Sequence, residues 1–280
     1  MSRMSLCLSM WSLQELVTAG RMDLSGFLDY CLDNGVAEVE LLEFMQEESP
    51  AETRAMLASR GIRAGAWSAA NNFVQPDSAA LREQVDGMKR SIDGAAELGA
   101  PILRVFSGDE HPDAKYEDGL KRILEGFAAC EPYAREARVV MALENHGVFA
   151  GRSAQVNHII SSIASPWLRA TLDTANFLFV DEEPLAAARN LATSAAWVHA
   201  KDYAPCAPDA EGAWPSLAGR YYEGCALGDG SVDLPGIVRA LGAAGYTGGL
   251  SIEYEGPNPL FNTKRSIAFL KSILNSPGEV

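Results

Sequence analysis

Short apolar runs alternate with longer amphipathic stretches along the whole chain, and that alternation constrains the fold more than any single motif. Runs of strand character lie at Met4–Met10, Val36–Phe44, Ile62–Ser68, Pro101–Ser107, Val139–His146, Leu168–Ala175, Ala195–Asp202 and Gly249–Glu255. Helical periodicity falls between and after them, at Leu24–Asn34, Pro50–Arg60, Asp77–Leu98, Ala114–Ala134, Ser153–Ala164, Glu183–Leu191, Leu234–Ala244 and Lys264–Ile273. Gly35, Gly61, Gly99 and Gly245 each end a helical stretch just before a strand, where a left-handed cap belongs. Eight strand-then-helix units in a chain of this length predict an α/β fold, a single-domain (β/α)8 TIM barrel over residues 1–280. No glycine-rich GxGxxG turn follows the first strand, which argues against a doubly wound sheet. The long stretch from Ala204 to Ser231 follows the seventh strand and carries Trp214, Tyr221 and Tyr222. It is expected to form a loop over the barrel mouth, either a lid or a surface excursion.

Side-chain alternation then places polar groups. On the fifth strand Val140, Ala142, Glu144 and His146 share one face, while Val139, Met141 and Leu143 grease the helices. The seventh strand offers Trp197, His199 and Lys201 inward, the eighth Ser251, Glu253 and Glu255, and the sixth Thr171 and Asp173. Glu144, Asp173, His199 and Glu253 therefore fall at the C-terminal ends of consecutive strands, facing the barrel axis. A lone acid at a strand end is commonly a helix cap, and a lone histidine a satisfied core group. Four such residues at one end and one face form a pattern that capping does not predict. Three converging carboxylates repel one another and resist desolvation unless they take up protons or share a cation. One divalent metal ion resolves the conflict; the ligand set suits Mn2+, with Mg2+, Co2+ or Zn2+ as alternatives.

Charge and composition narrow the partners. Lys and Arg total 23 against 37 Asp and Glu, a net charge of −14 that disfavours nucleic acid and anionic membrane surfaces. No apolar run is long enough to span a membrane. The N-terminus imitates a signal peptide only weakly, with Arg3 followed by a stretch that Ser5, Ser9, Ser12 and Gln14 interrupt. Five scattered cysteines without a CxxC pair suit a reducing cytoplasm. The aromatics of the long loop would suit a pocket wall or a contact in a homo-oligomer equally.

Several segments together resemble the sugar phosphate isomerase/epimerase family, whose fold is the xylose-isomerase-like TIM barrel. They are Ala142-Leu143-Glu144-Asn145-His146-Gly147, Leu172-Asp173-Thr174-Ala175-Asn176, Val198-His199-Ala200-Lys201-Asp202, Leu227-Gly228-Asp229-Gly230-Ser231-Val232-Asp233 and Ile252-Glu253. Gly35-Val36-Ala37-Glu38-Val39-Glu40-Leu41, Leu103-Arg104-Val105-Phe106 and Gly245-Tyr246-Thr247-Gly248 extend the likeness over nearly the whole chain. The resemblance implies a divalent metal on the same four residues, with Glu144 and Glu253 as an acid/base pair on opposite faces of a small carbohydrate. It implies isomerase or epimerase chemistry through an enediolate. Lyases on the same scaffold, the inosose-type dehydratases and the enzymes that cleave oxidised glycosides, need the same metal and the same proton abstraction. A three-zinc abasic-site endonuclease needs many histidines, whereas only His111, His146, His158 and His199 exist here.

Candidate substrate contacts follow. The chain departs from the ketose 3-epimerase pattern at Asn176, where those enzymes carry histidine; Asn can bond a sugar hydroxyl but cannot carry a proton at neutral pH. His146 either touches substrate or bonds a rim loop. Arg104, facing inward, needs an anionic partner, either Glu40 or a substrate oxygen. Lys201 binds an oxyanion or holds a carboxylate. Arg220 resembles family arginines that contact the sugar, and Trp11 offers an apolar wall or a plain core position. No phosphate cradle is evident, so an uncharged substrate is as plausible as a sugar phosphate.

Overall fold

A computed structural model describes residues 4–109 and 115–275; Arg3, His111 and Ala114 lie outside them. Eight parallel strands close into a barrel: β1 (Ser5–Ser9), β2 (Glu38–Leu42), β3 (Arg63–Ser68), β4 (Ile102–Val105), β5 (Val140–Glu144), β6 (Leu168–Asp173), β7 (Ala195–Ala200) and, after three short strands described below, β11 (Gly249–Ile252). Each pairs with its sequence neighbour in the barrel, and β11 closes on β1 with Leu6 opposite Leu250. The helices that follow the strands are α1 (Gln14–Thr18), α2 (Leu24–Asp33), α3 (Pro50–Arg60), α4 (Ser78–Leu98), α5 (Tyr116–Ala137), α6 (Gly147–Ala150), α7 (Ser153–Ile163), α8 (Pro184–Leu191), α9 (Leu234–Ala243) and α10 (Pro259–Asn275).

Local chemistry explains the boundaries. Ser49 and Glu52 form a reciprocal capping box ahead of Pro50, and Asp77 accepts from the Ala79 and Ala80 amides to start α4. The four glycines expected to end helices all have positive φ. Arg138 and Ala164 do the same work in left-handed conformation without being glycine, so composition gave no sign of them. Helix α10 begins at Pro259, five residues before its apolar period starts; Leu260 and Phe261 in its first turn are exposed and carry no core signal.

Two apolar layers hold the fold. Outward residues of the strands, such as Val39, Leu103, Met141, Leu143, Leu172 and Val198, pack under the helices. Inside, Cys7, Ala66, Ile102, Ala142 and Trp197 form a separate small cluster that fills the floor of the barrel. The Trp197 indole fits because glycine stands on both sides of it; a Cβ at Gly65 or Gly249 would lie 2.5 Å from the ring.

The stretch after β7 is built rather than loose. It folds into an antiparallel sheet of β8 (Tyr203–Pro205), β9 (Trp214–Pro215) and β10 (Tyr221–Gly224), with β10 in the middle and the prolines confined to the outer strands. Asp202 fastens its two ends: one carboxylate oxygen accepts from the Tyr203 and Val232 amides, the other from Gly228 and Gly230.

Candidate metal centre at the barrel mouth

Glu144 and Asp173 are the last residues of β5 and β6, His199 sits one residue before the end of β7, and Glu253 follows β11 directly. All four are buried, and one ligand atom from each lies within 4.8 Å of the others. They are the four residues that strand alternation turns toward the barrel axis. From His199 Nδ1 it is 3.5 Å to Glu253 Oε2, 3.7 Å to Glu144 Oε2 and 3.8 Å to Asp173 Oδ2.

The remaining atoms of these groups are held from behind. Asp173 Oδ1 accepts from the Ala175 and Asn176 amides at 2.8 Å each. Asn176 Nδ2 donates to Glu144 Oε1 at 2.9 Å, and Arg104 Nε lies 3.4 Å from Glu144 Oε2. Lys201 Nζ is 2.8 Å from Glu253 Oε2, 3.1 Å from Glu255 Oε1 and 3.6 Å from Asp173 Oδ2. His199 Nε2 faces Glu40 Oε1 at 2.9 Å. After these bonds, Asp173 Oδ2 and His199 Nδ1 remain buried without a hydrogen-bond partner, with only the longer ion-pair contacts given above. Buried polar atoms without partners are costly, and two of them converging beside two further carboxylates fit a divalent cation. Glu144, Asp173, His199 and Glu253 are the residues that could hold it.

The electrostatics describe the same conflict. Burial, and then the Glu144 and Glu253 carboxylates, push Asp173 up to about 7 against the pull of Lys201. Burial also opposes ionisation of Glu144, yet His199 and Arg104 hold it well below the usual carboxylate range. Burial works against a charge on His199, but Glu253, Glu40 and Glu144 together raise it well above an ordinary imidazole. The cluster's own charges favour a proton on His199 and make Asp173 easier to protonate, and a cation would compete with protons for the same oxygens and nitrogen.

The structure places the other sequence candidates unevenly. Asn176 and Lys201 join the cluster as described. Arg104 is buried, its direct ion pair going to Glu144 while its charge also reaches Glu40; its Nη1 donates to the Ala69 carbonyl at 3.0 Å and its guanidinium lies 4.1 Å over Phe106. His146 is exposed at the rim, with its ring 4.9 Å from Phe106. Trp11 lies in a turn after β1 and donates from Nε1 to Glu255 Oε1 at 2.7 Å. Arg220 is turned to the surface, where Asp181 engages it at 2.7 Å.

Three supporting residues escaped the sequence reading. Asn145 ties β5 to β6, accepting from the Asp173 amide at 2.7 Å and donating to the Asp173 carbonyl at 3.0 Å. Its outward parity on β5 pointed away from the site. Tyr203 donates to Glu255 Oε2, a contact made by the turn into β8 that no strand pattern announces. Glu40 is the third, read only as a partner for Arg104. Its Oε1 accepts from Ser68 Oγ at 2.6 Å, and its Oε2 from Trp197 Nε1 at 3.0 Å. Burial opposes its charge, but His199 and Arg104 lower its carboxyl to about 2.

A carboxylate on Nε2 keeps the His199 proton there and leaves the Nδ1 lone pair free for a metal. Glu40→Gln cannot satisfy every partner, because its amide NH2 must face either Trp197 N–H or His199. The variant is expected to bind Mn2+ about 10–100-fold more weakly, as titration calorimetry would read. Unchanged affinity would remove this role from Glu40.

The arrangement is a closed (β/α)8 barrel with a buried Glu/Asp/His cluster at its C-terminal mouth that could hold a metal ion. The chain belongs to the xylose isomerase-like TIM barrel family, whose model matches residues 28–273. No curated protein sequence matches it significantly. Among solved structures, it resembles protein SMc04130 from Sinorhizobium meliloti 1021 at 20% identity over 96% of this chain and 98% of that one, with a TM-score of 0.79. An L-ribulose 3-epimerase is similar at 18% identity, 98% and 95% coverage and a TM-score of 0.76. The IolI protein, with a bound zinc atom, is similar at 17% identity, 96% coverage of both chains and a TM-score of 0.74. At these identities the likeness to the three structures shows a shared fold.

Proposed function

We propose that the protein is a divalent-metal-dependent isomerase or epimerase acting on a small polyhydroxylated carbonyl compound, with Mn2+ as the ion. The carrying observation is the placement of two buried carboxylates, Glu144 and Glu253, beside Asp173 Oδ2 and His199 Nδ1, which make no hydrogen bond. A bound divalent cation would polarise the substrate carbonyl and acidify the neighbouring C–H. Glu253, oriented by Lys201, would take that proton and can return it to the adjacent carbon; Glu144, oriented by Asn176 and Arg104, faces the other side and would return a proton there after first taking one from a substrate hydroxyl. Burial of the pair excludes water from the charge that develops between these steps. The similar L-ribulose 3-epimerase and the zinc-binding IolI protein support this reading. The five free cysteines support a cytoplasmic location. No described helix is long and apolar enough to cross a membrane.

A lyase on the same scaffold is the second reading, favoured by a cavity of about 620 Å3 walled by Glu255, two residues past Glu253, with the volume to take a leaving group. The test is metal content by elemental mass spectrometry on protein purified without chelators, followed by reloading with Mn2+ and incubation of ketoses, inososes and oxidised glycosides in D2O. About one equivalent of metal and metal-dependent deuterium uptake at a carbon next to the carbonyl are expected. Loss of water or of an aglycone would select the lyase, and absence of both metal binding and exchange would overturn the proposal.

A further inference from the structure

Two cavities of about 210 and 620 Å3 open beside the cluster and share Glu15, Trp214, Glu255 and Gly256 in their walls. They form one groove along the β11–β1 side of the mouth. Its inner end is Glu255, which Lys201 joins to Glu253. The groove therefore reaches to within one ion-paired lysine of Glu253, and a molecule lying in it would bear on the inner cluster through Glu255 and Lys201. The larger cavity alone falls in the range of sites that hold ligands bigger than one small polyol.

The chemistry of the walls is specific. Trp214 is 62% exposed, yet it lines both cavities and is paired through β9 to Tyr222 of β10. That sheet is docked against the turn after β11, since a Cβ at Gly224 would collide with the Glu255 carbonyl oxygen. The indole is thus presented by fixed backbone. Around it stand Glu15, Glu211, Glu223 and Glu255, and among the described residues no lysine or arginine lines either cavity. The cations nearest the mouth are already committed: Lys201 to three carboxylates, Arg104 to Glu144 and Arg220 to Asp181. A phosphate would meet repulsion here without a compensating donor. The hydroxyls of a sugar ring can donate to the carboxylates, which only accept, while its C–H face rests on the electron-rich face of the indole.

We infer that this groove is a subsite for a second, uncharged sugar ring, so that the substrate is an unphosphorylated glycoside rather than a free monosaccharide. The inference rests on the barrel mouth being a carbohydrate site, as proposed above. It is tested on the full chain, with and without Mn2+, by titration calorimetry and tryptophan fluorescence with cellobiose, maltose, glucose, glucosamine and glucose 6-phosphate. At least one disaccharide should bind about tenfold more tightly than glucose. Trp214→Ala should erase that advantage while leaving metal loading unchanged, and Trp214→Phe should restore part of it. Equal binding of mono- and disaccharide, no binding of any sugar, or an advantage that survives Trp214→Ala would overturn the subsite. Tightest binding of glucose 6-phosphate, or of the protonated glucosamine, would overturn the uncharged class. Deuterium exchange separates the two ideas: exchange without a Trp214-dependent disaccharide preference sinks the subsite alone, and the preference without exchange or metal sinks the chemistry alone.

Discussion

Glu144→Gln and Glu253→Gln are each expected to lower kcat by at least about 10²–10⁴-fold at saturating Mn2+, with the fold intact. The amide nearly matches the carboxylate in volume, so packing around either position is preserved. What it loses is the ability to take a proton and much of its attraction for a cation. At Glu253, the Lys201 ammonium would face an amide in place of a charge, although Glu255 and Asp173 still neutralise it. At Glu144, Asn176 Nδ2 can still donate to an amide oxygen, but Arg104 loses its ionic partner. The loss should therefore remain when metal is added in excess, which separates a missing base from a weakened ligand. Circular dichroism and metal titration alongside turnover check this, and wild-type turnover in both variants would remove the acid/base assignment.

Trp197→Ala is expected to cost about 3–5 kcal/mol of stability, the range for removing a large buried aromatic. Two losses add. The indole fills the barrel floor between Gly65 and Gly249, neither of which has a side chain to collapse into the space. Its Nε1 also satisfies Glu40 Oε2, which would be left buried and short of a donor. For a chain of this size the melting temperature should fall by on the order of 10 °C. Trp197→Phe should recover the packing but not the hydrogen bond, landing between the two. A melting temperature for Trp197→Ala within a degree or two of wild type would mean that the floor repacks freely.

Much of this architecture is written locally in the chain, and some of it cannot be. Period-2 alternation on β5, β6, β7 and β11 reports which face of each strand looks inward, so Glu144, Asp173, His199 and Glu253 could be grouped before any geometry was known. Arg104 was correctly turned inward, but its choice of Glu144 over Glu40 depends on the register between β4 and β5, which no single strand encodes. Glu40 lies 159 residues from His199, and only barrel closure brings them together. Arg220 pairs with Asp181, which lies in another connection and is invisible to a scan of its own loop. The sheet of β8, β9 and β10 was hidden by strands of two to four residues, too short to show a period.

Asp202 has a consequence for how such a protein can change over generations. One carboxylate gathers amides from both ends of the excursion after β7, so the segment is closed at its base independently of what lies between. Lengthening a closed loop is cheap, each doubling costing only about 0.6 kcal/mol. The outer wall that carries Glu211, Trp214 and Glu223 is in effect an exchangeable cassette clipped to a fixed chassis. New ligand preferences can be tried in it by insertion or substitution, while the strand ends bearing Glu144, Asp173, His199 and Glu253 are left untouched.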